Sequence, residues 1–143
     1  MTVLQEAKQS LLDLADLTGT IANGGNPDPH SVLGYQSKLV RYYALVGEEM
    51  ARQFGAKERA YLSRKIAQAK EHIKGRRDLN MTSKDAEERA FQEVEQLHAD
   101  EIDRMESFEL YRVFLKSLQN GLDHTRSIIA YLKRAEADSS SDP

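Results

Sequence analysis

The 143-residue chain is predicted to fold entirely as α-helix, in a long antiparallel hairpin of coiled-coil type that carries a short N-terminal helix. Charged residues make up 30% of the chain and aromatic residues 7%, with three prolines and no tryptophan, a balance that suits long solvated helices better than a sheet core. Apolar residues recur every three or four positions through most of the sequence. The strongest helix breakers are concentrated in residues 18–30, "TGTIANGGNPDPH", and a short polar stretch opens at Gly75.

Each element follows from local signals. Thr2 and Gln5 have capping-box spacing, and Leu4, Ala7, Leu11 and Leu14 follow on one face, so a helix is expected over about 2–18, with Gly19 placed to stop it. Residues 19–28 read as a loop. Asp28 can cap the next helix and Pro29 can occupy its first position, where a missing N–H costs nothing. That helix is expected to run over 29–74, with Leu39, Tyr43, Val46, Met50 and Phe54, then Leu62, Ile66, Ala69 and Ile73, on its apolar side, and Gly75 ending it. Gly47 and Gly55 weaken it or let a neighbour approach. After a turn over 75–82, Thr82 or Ser83 can start a second long helix over 83–135, antiparallel to the first because the connection is short.

This second helix carries the sharpest pattern. Phe108, Tyr111, Leu115, Leu118, Leu122, Thr125, Ile129 and Leu132 keep the 3-4 spacing of a coiled-coil seam, and Phe91, Val94, His98, Ile102 and Met105 extend the row upstream. Leu110, Val113, Phe114, Ile128 and Tyr131 lie outside the seam, so the helix is apolar on more than one side. The reading is a homo-oligomer whose interface is Phe108, Tyr111, Leu115, Leu118, Leu122, Ile129 and Leu132. A single domain over 1–135 is expected, followed by a disordered tail, 136–143, of composition "EADSSSDP".

Composition removes several classes. Without cysteine there are no disulfides, thiol nucleophiles or Cys-based zinc sites, and a reducing, cytoplasmic setting fits. Glu6, Lys8, Asp13 and Asp16 interrupt the N-terminal helix, which is no signal peptide, and no apolar run reaches membrane-spanning length. The formal charge of -3 offers no global attraction to polyanions, so any nucleic-acid contact must rest on local clustering. Such clustering exists. Lys57 to Arg77 holds eight basic residues against Glu58 and Glu71, whereas Asp85 to Glu109 holds ten acids against Arg89 and Arg104. A hairpin would lay these arms side by side and cancel much of the field; Lys74, Arg76 and Arg77 would stay uncovered at the tip, beside a helix start able to hold phosphate. Arg64, Lys65 and Lys70 are secondary candidates. A further basic segment, Arg112, Lys116, Arg126, Lys133 and Arg134 against Asp123, reads as a solvated face. Tyr42, Tyr43, Tyr61 and Tyr111 could stack on bases, although their helical spacing favours packing.

No catalytic constellation emerges. Glu95 and His98 have the Glu-x-x-His spacing of one half of a di-metal site, but no second pair exists. Asp123 and His124 are helix neighbours that point apart, and His30 and His72 stand alone. "NGGN" lacks the lysine of a phosphate loop, and no Gly-x-Ser-x-Gly elbow occurs. No metal, no cofactor and no enzymatic activity are expected.

The segments "KLVRYYALVGEEM", "EHIKGRRDLNM", "LHADEID" and "LYRVFLKSLQNGLDHTRSIIAYL", within about residues 35–132, together resemble the small recombination mediators of T-even-type phages, the UvsY-like family. Gly75 and Arg76 match that family's Gly-Arg turn, and the apolar C-terminal helix matches its oligomerisation segment; its Lys-Ala-Arg-Leu element has no counterpart in "YLSRKIAQAKEHI". The resemblance implies a helical phage protein that assembles into a ring, binds single-stranded DNA and assists a recombinase in DNA recombination. The alternative reading is a coiled-coil interaction module, such as a phage assembly factor, an adaptor or an inhibitor of a host protein, that binds a host or phage protein and no nucleic acid.

Overall fold

The structure, a computed structural model, describes residues 2–140. It is all-α, with four helices: α1 Val3–Ala22, α2 Pro29–Arg77, α3 Ser83–Glu93 and α4 Glu95–Ser140. No strand occurs among the described residues, and the long helices α2 and α4 pack as the arms of a hairpin. The chain divides into two compact units where one domain was expected: Met1–Glu48 with Arg112–Pro143, and Glu49–Tyr111. Both long helices contribute to each unit.

In the first unit, α1 begins as its capping box predicts. Thr2 Oγ1 accepts from the Gln5 N–H, and Gln5 Oε1 accepts from the Thr2 N–H at 2.9 Å. Gly19 does not stop α1, which runs to Ala22 and closes with the Asn23 N–H donating to the Gly19 carbonyl. Asp28 starts α2, its carboxylate accepting from the His30 N–H and its carbonyl from Val32. The core consists of Ala7 and Leu14 from α1, Val32, Leu39 and Val46 from α2, and Leu118, Leu122, Thr125 and Ile128 from α4. Gly121 sits at the closest approach, where an added Cβ would lie 2.8 Å from Leu11 Cδ2. Thr18 Oγ1 donates to the Leu14 carbonyl and meets His124 Nε2 at 2.8 Å.

Part of the proposed oligomer seam is used inside this unit. Leu118 and Leu122 are buried in the single chain, as is Thr125. Leu115, Ile129 and Leu132 are half-buried, and Ile128, placed outside the seam from the sequence, belongs to the core. Leu110, Val113 and Tyr131, outside the seam, are each 57% exposed.

In the second unit, the end of α2 packs on α3 and the start of α4. Gly75 does not end α2. It is buried inside the helix, where a Cβ would meet Ala86 Cβ at 3.1 Å, so its lack of a side chain lets α3 approach. The chain instead turns after Arg77 through Asn80, whose φ of 49° is left-handed, a conformation asparagine tolerates better than most residues. Thr82 then caps α3 by accepting from the Asp85 N–H at 3.2 Å. The expected helix over 83–135 is interrupted once, at Val94, and the bond from the His98 N–H to the Val94 carbonyl carries the path on into α4. Buried Ala86, Ala90 and Val94 form this unit's apolar centre. At the far end, in the first unit, α4 continues to Ser140, so residues 136–140 are helical where a disordered tail was expected; Ala135, Glu136 and Ala137 are good helix formers. The remainder of that tail, 141–143, lies outside the described residues.

Candidate nucleic-acid interface

The basic arm predicted for phosphate contact lies on α2 of the second unit, and the structure sorts its members. Arg64 is withdrawn from any external role. Its guanidinium pairs with the Glu101 carboxylate and also donates to Gln68 Oε1 at 2.9 Å, and its side chain is only 12% exposed. The hydrogen bond from Arg64 holds the Glu101 carboxyl below the usual carboxylate range, with a smaller contribution from His98, and the same bond raises Arg64. Glu71, on the same side of α2 two turns later, accepts from Arg89 of α3 at 2.9 Å. These two ion pairs are the cross-helix pairs found among the described residues of this unit.

Mutual cancellation of the two arms is therefore partial. Lys65, Lys70, Lys74 and Arg77 are exposed and have no acidic partner among the described residues. Arg76, also exposed, donates to the Met81 carbonyl at 3.0 Å and holds the turn. Lys74, Arg76 and Arg77 form the last turn of α2, where unpaired carbonyls favour cations, so the cluster has a structural reason to exist as well. The helix start that follows is less open to an anion than expected, since Thr82 satisfies the Asp85 N–H and Asp85 places a carboxylate in the first turn.

Aromatic surface accompanies the cations. Tyr61 is 41% exposed, with Lys65 Nζ 5.7 Å and the Arg64 guanidinium 5.6 Å from its ring centre. Tyr42, Tyr43 and Tyr111 are half-buried, as packing residues would be. Phe54, assigned to the apolar side from its spacing, is 48% exposed, and Lys57 Nζ lies 5.1 Å from its ring and 4.7 Å from that of Phe108. The two phenylalanine rings are 5.6 Å apart, so Phe108 packs within this unit. Phe91, exposed on α3, was missed as a surface aromatic because its spacing matches a core row; only the thinness of the unit leaves it outside.

Other sequence candidates separate in the same way. His98 turns towards Glu101, its Nδ1 3.5 Å from Oε2 and without a hydrogen bond, while Glu95 is exposed and apart from it. No group of three or more metal-ligating side chains occurs among the described residues. In the C-terminal basic segment, Arg126 pairs with Asp123 at 3.0 Å, and Lys116, Lys133 and Arg134 are exposed. No helix is long and apolar enough to cross a membrane among the described residues. No family model, curated protein or solved structure matches the chain.

Proposed function

We propose that the chain is a non-catalytic accessory of DNA recombination that binds single-stranded DNA at the end of α2, with Lys74, Arg76 and Arg77 on phosphates and Lys65 and Lys70 as neighbouring contacts. The observation that carries this reading is the set of exposed cations left without acids although an arm rich in carboxylates runs close by. Exposed Tyr61 and Phe54 on the same helix offer surfaces on which unpaired bases can stack, which favours single strands over duplex. A phage origin and a recombinase as partner are supported by the family resemblance alone, and a cytoplasmic setting by the absence of cysteine as well.

Fluorescence anisotropy with a labelled oligonucleotide tests the assignment. Replacing Arg76 and Arg77 together by alanine removes two of three phosphate contacts, so the slope of log affinity against log salt should flatten from about -2.1 to about -0.7. Arg64→Met should leave that slope unchanged. Equal slopes for the Arg76/Arg77 variant and the wild type would remove the turn from the binding surface.

The second reading, a helical interaction module, is favoured by a separate observation. Leu62, Ile66 and Ile73 of α2 and Phe91, Ile102 and Met105 of α3 and α4 are each between 44% and 56% exposed, and clustered exposed apolar side chains mark interaction surfaces.

A further inference from the structure

On α2 of the second unit, Arg64, Glu71 and Gly75 face α3 and α4. At 100° per residue, Leu62, Ile66, Ala69 and Ile73 fall on the opposite side of the helix. All four are exposed, and their 4-3-4 spacing is that of a helix-pairing seam. Arg59, Lys65 and Lys70 border this ridge and have no acidic partner among the described residues. The ridge is therefore apolar along its crest and cationic on its flanks.

The same unit exposes a second strip with the opposite flanks. The rings of Phe91 and His98 are 5.7 Å apart, and Ile102 and Met105 continue from His98 at the spacing of one helix face. Glu95 and Glu106 border this strip along one side, both exposed and both without a basic partner among the described residues. At about 1.5 Å per residue the ridge is roughly 16 Å long and the strip from Phe91 to Met105 roughly 20 Å.

We infer that these two faces bind each other between copies of the chain, the cationic ridge of one copy seating on the acidic strip of the next. Pairing of the ridge with its own copy is opposed by charge. An antiparallel two-fold that sets Leu62 against the other copy's Ile73 also sets Lys65 against Lys70 and Arg59 against Arg76. Seating on the acidic strip removes these repulsions, brings Glu95 and Glu106 to the cationic face, and covers the same apolar crest. The contact joins two different faces, so a pair of copies still presents one free face of each kind and association continues beyond two. This assembly differs from the one expected from the C-terminal seam, and it does not depend on nucleic acid.

The test is light scattering of the full chain without DNA. At low salt the mass should rise with concentration to at least twice the 16.2 kDa of one chain, and high salt should lower it. A variant with Lys65→Glu and Lys70→Glu, and a second with Glu95→Lys and Glu106→Lys, should each run as single chains with wild-type circular dichroism. An equimolar mixture of the two should regain the large mass, because each now carries the complement of the other's changed face. The inference is overturned by a wild type of 16.2 kDa at low salt, by either variant retaining its mass, or by a mixture that stays monomeric. Lys65 and Lys70 also belong to the proposed DNA surface, so the two results are separated by the acidic-strip variant, which leaves every cation of α2 in place: it should lose mass and keep oligonucleotide binding.

Discussion

Replacing Arg64 by methionine separates a structural cation from the binding cations beside it on α2. The substitution keeps most of the apolar stem and removes the charge, which leaves the Glu101 carboxylate only 6% exposed and without its main partner. The nearest group able to carry positive charge is then His98, whose Nδ1 lies 3.5 Å away. Breaking a buried pair from one side costs about 3 kcal/mol, a large share of the roughly 5 to 15 kcal/mol that holds a domain of this size together. Urea denaturation followed by far-ultraviolet circular dichroism at neutral pH should show that loss. Arg64→Met combined with Glu101→Leu should recover most of it, since neither charge is then stranded. A cost below about 1 kcal/mol for Arg64→Met would show that the pair behaves as a solvated surface contact, and Arg64 would return to the candidate phosphate ligands.

Acid titration follows from the same pair: the Glu101 carboxyl is lower in the folded state than unfolded, so its contribution is present above about pH 4.3 and lost as pH falls through the lowered value. Wild type and Glu101→Gln should therefore converge in stability in acid, and a gap that widens there would contradict the assignment. Leu118→Ala, at a fully buried site of the first unit, should cost about 3 kcal/mol, whereas Leu110→Ala, 57% exposed, should stay within about 0.5 kcal/mol. Equal effects would mean that the α4 row is not packed as described. Gly75→Ala gains about 1 kcal/mol of helix propensity but pushes a Cβ to 3.1 Å from Ala86, for a net loss of about 1 kcal/mol. Adding Ala86→Gly to that variant should restore the melting temperature, and failure to do so would place the strain elsewhere.

The sequence signals that proved reliable were short-range ones. Thr2 with Gln5, Asp28 before Pro29, and Thr82 before an acidic first turn mark helix starts because their side chains satisfy backbone groups within three residues. Helix ends were harder to place. Gly19 and Gly75 carry the composition of a stop, yet Gly19 is simply tolerated in α1 and Gly75 serves a tertiary contact with Ala86 that no local pattern encodes. Asn80, which takes the left-handed turn, was one polar residue among several.

The candidate site divides along the same line. Which residues were basic could be read directly, but the loss of Arg64 to Glu101 depends on a partner 37 residues away. The 3-4 row from Phe108 to Leu132 was a true packing signal whose partner could not be deduced from periodicity. A seam looks the same whether α1 and α2 or a second copy fills it, and here Leu118 and Leu122 are filled from within. Conversely, Leu62, Ile66 and Ile73 have the spacing of a core row and lie outside, because two or three helices are too few to cover every apolar face of α2.

The most direct measurement is the affinity of the unmodified chain for a labelled single-stranded oligonucleotide at 50 and 200 mM salt. Three phosphate contacts at the end of α2 predict that binding weakens about 18-fold between the two conditions. Absence of binding at the lower salt, or an affinity that does not change between them, would contradict a phosphate-binding role for Lys74, Arg76 and Arg77.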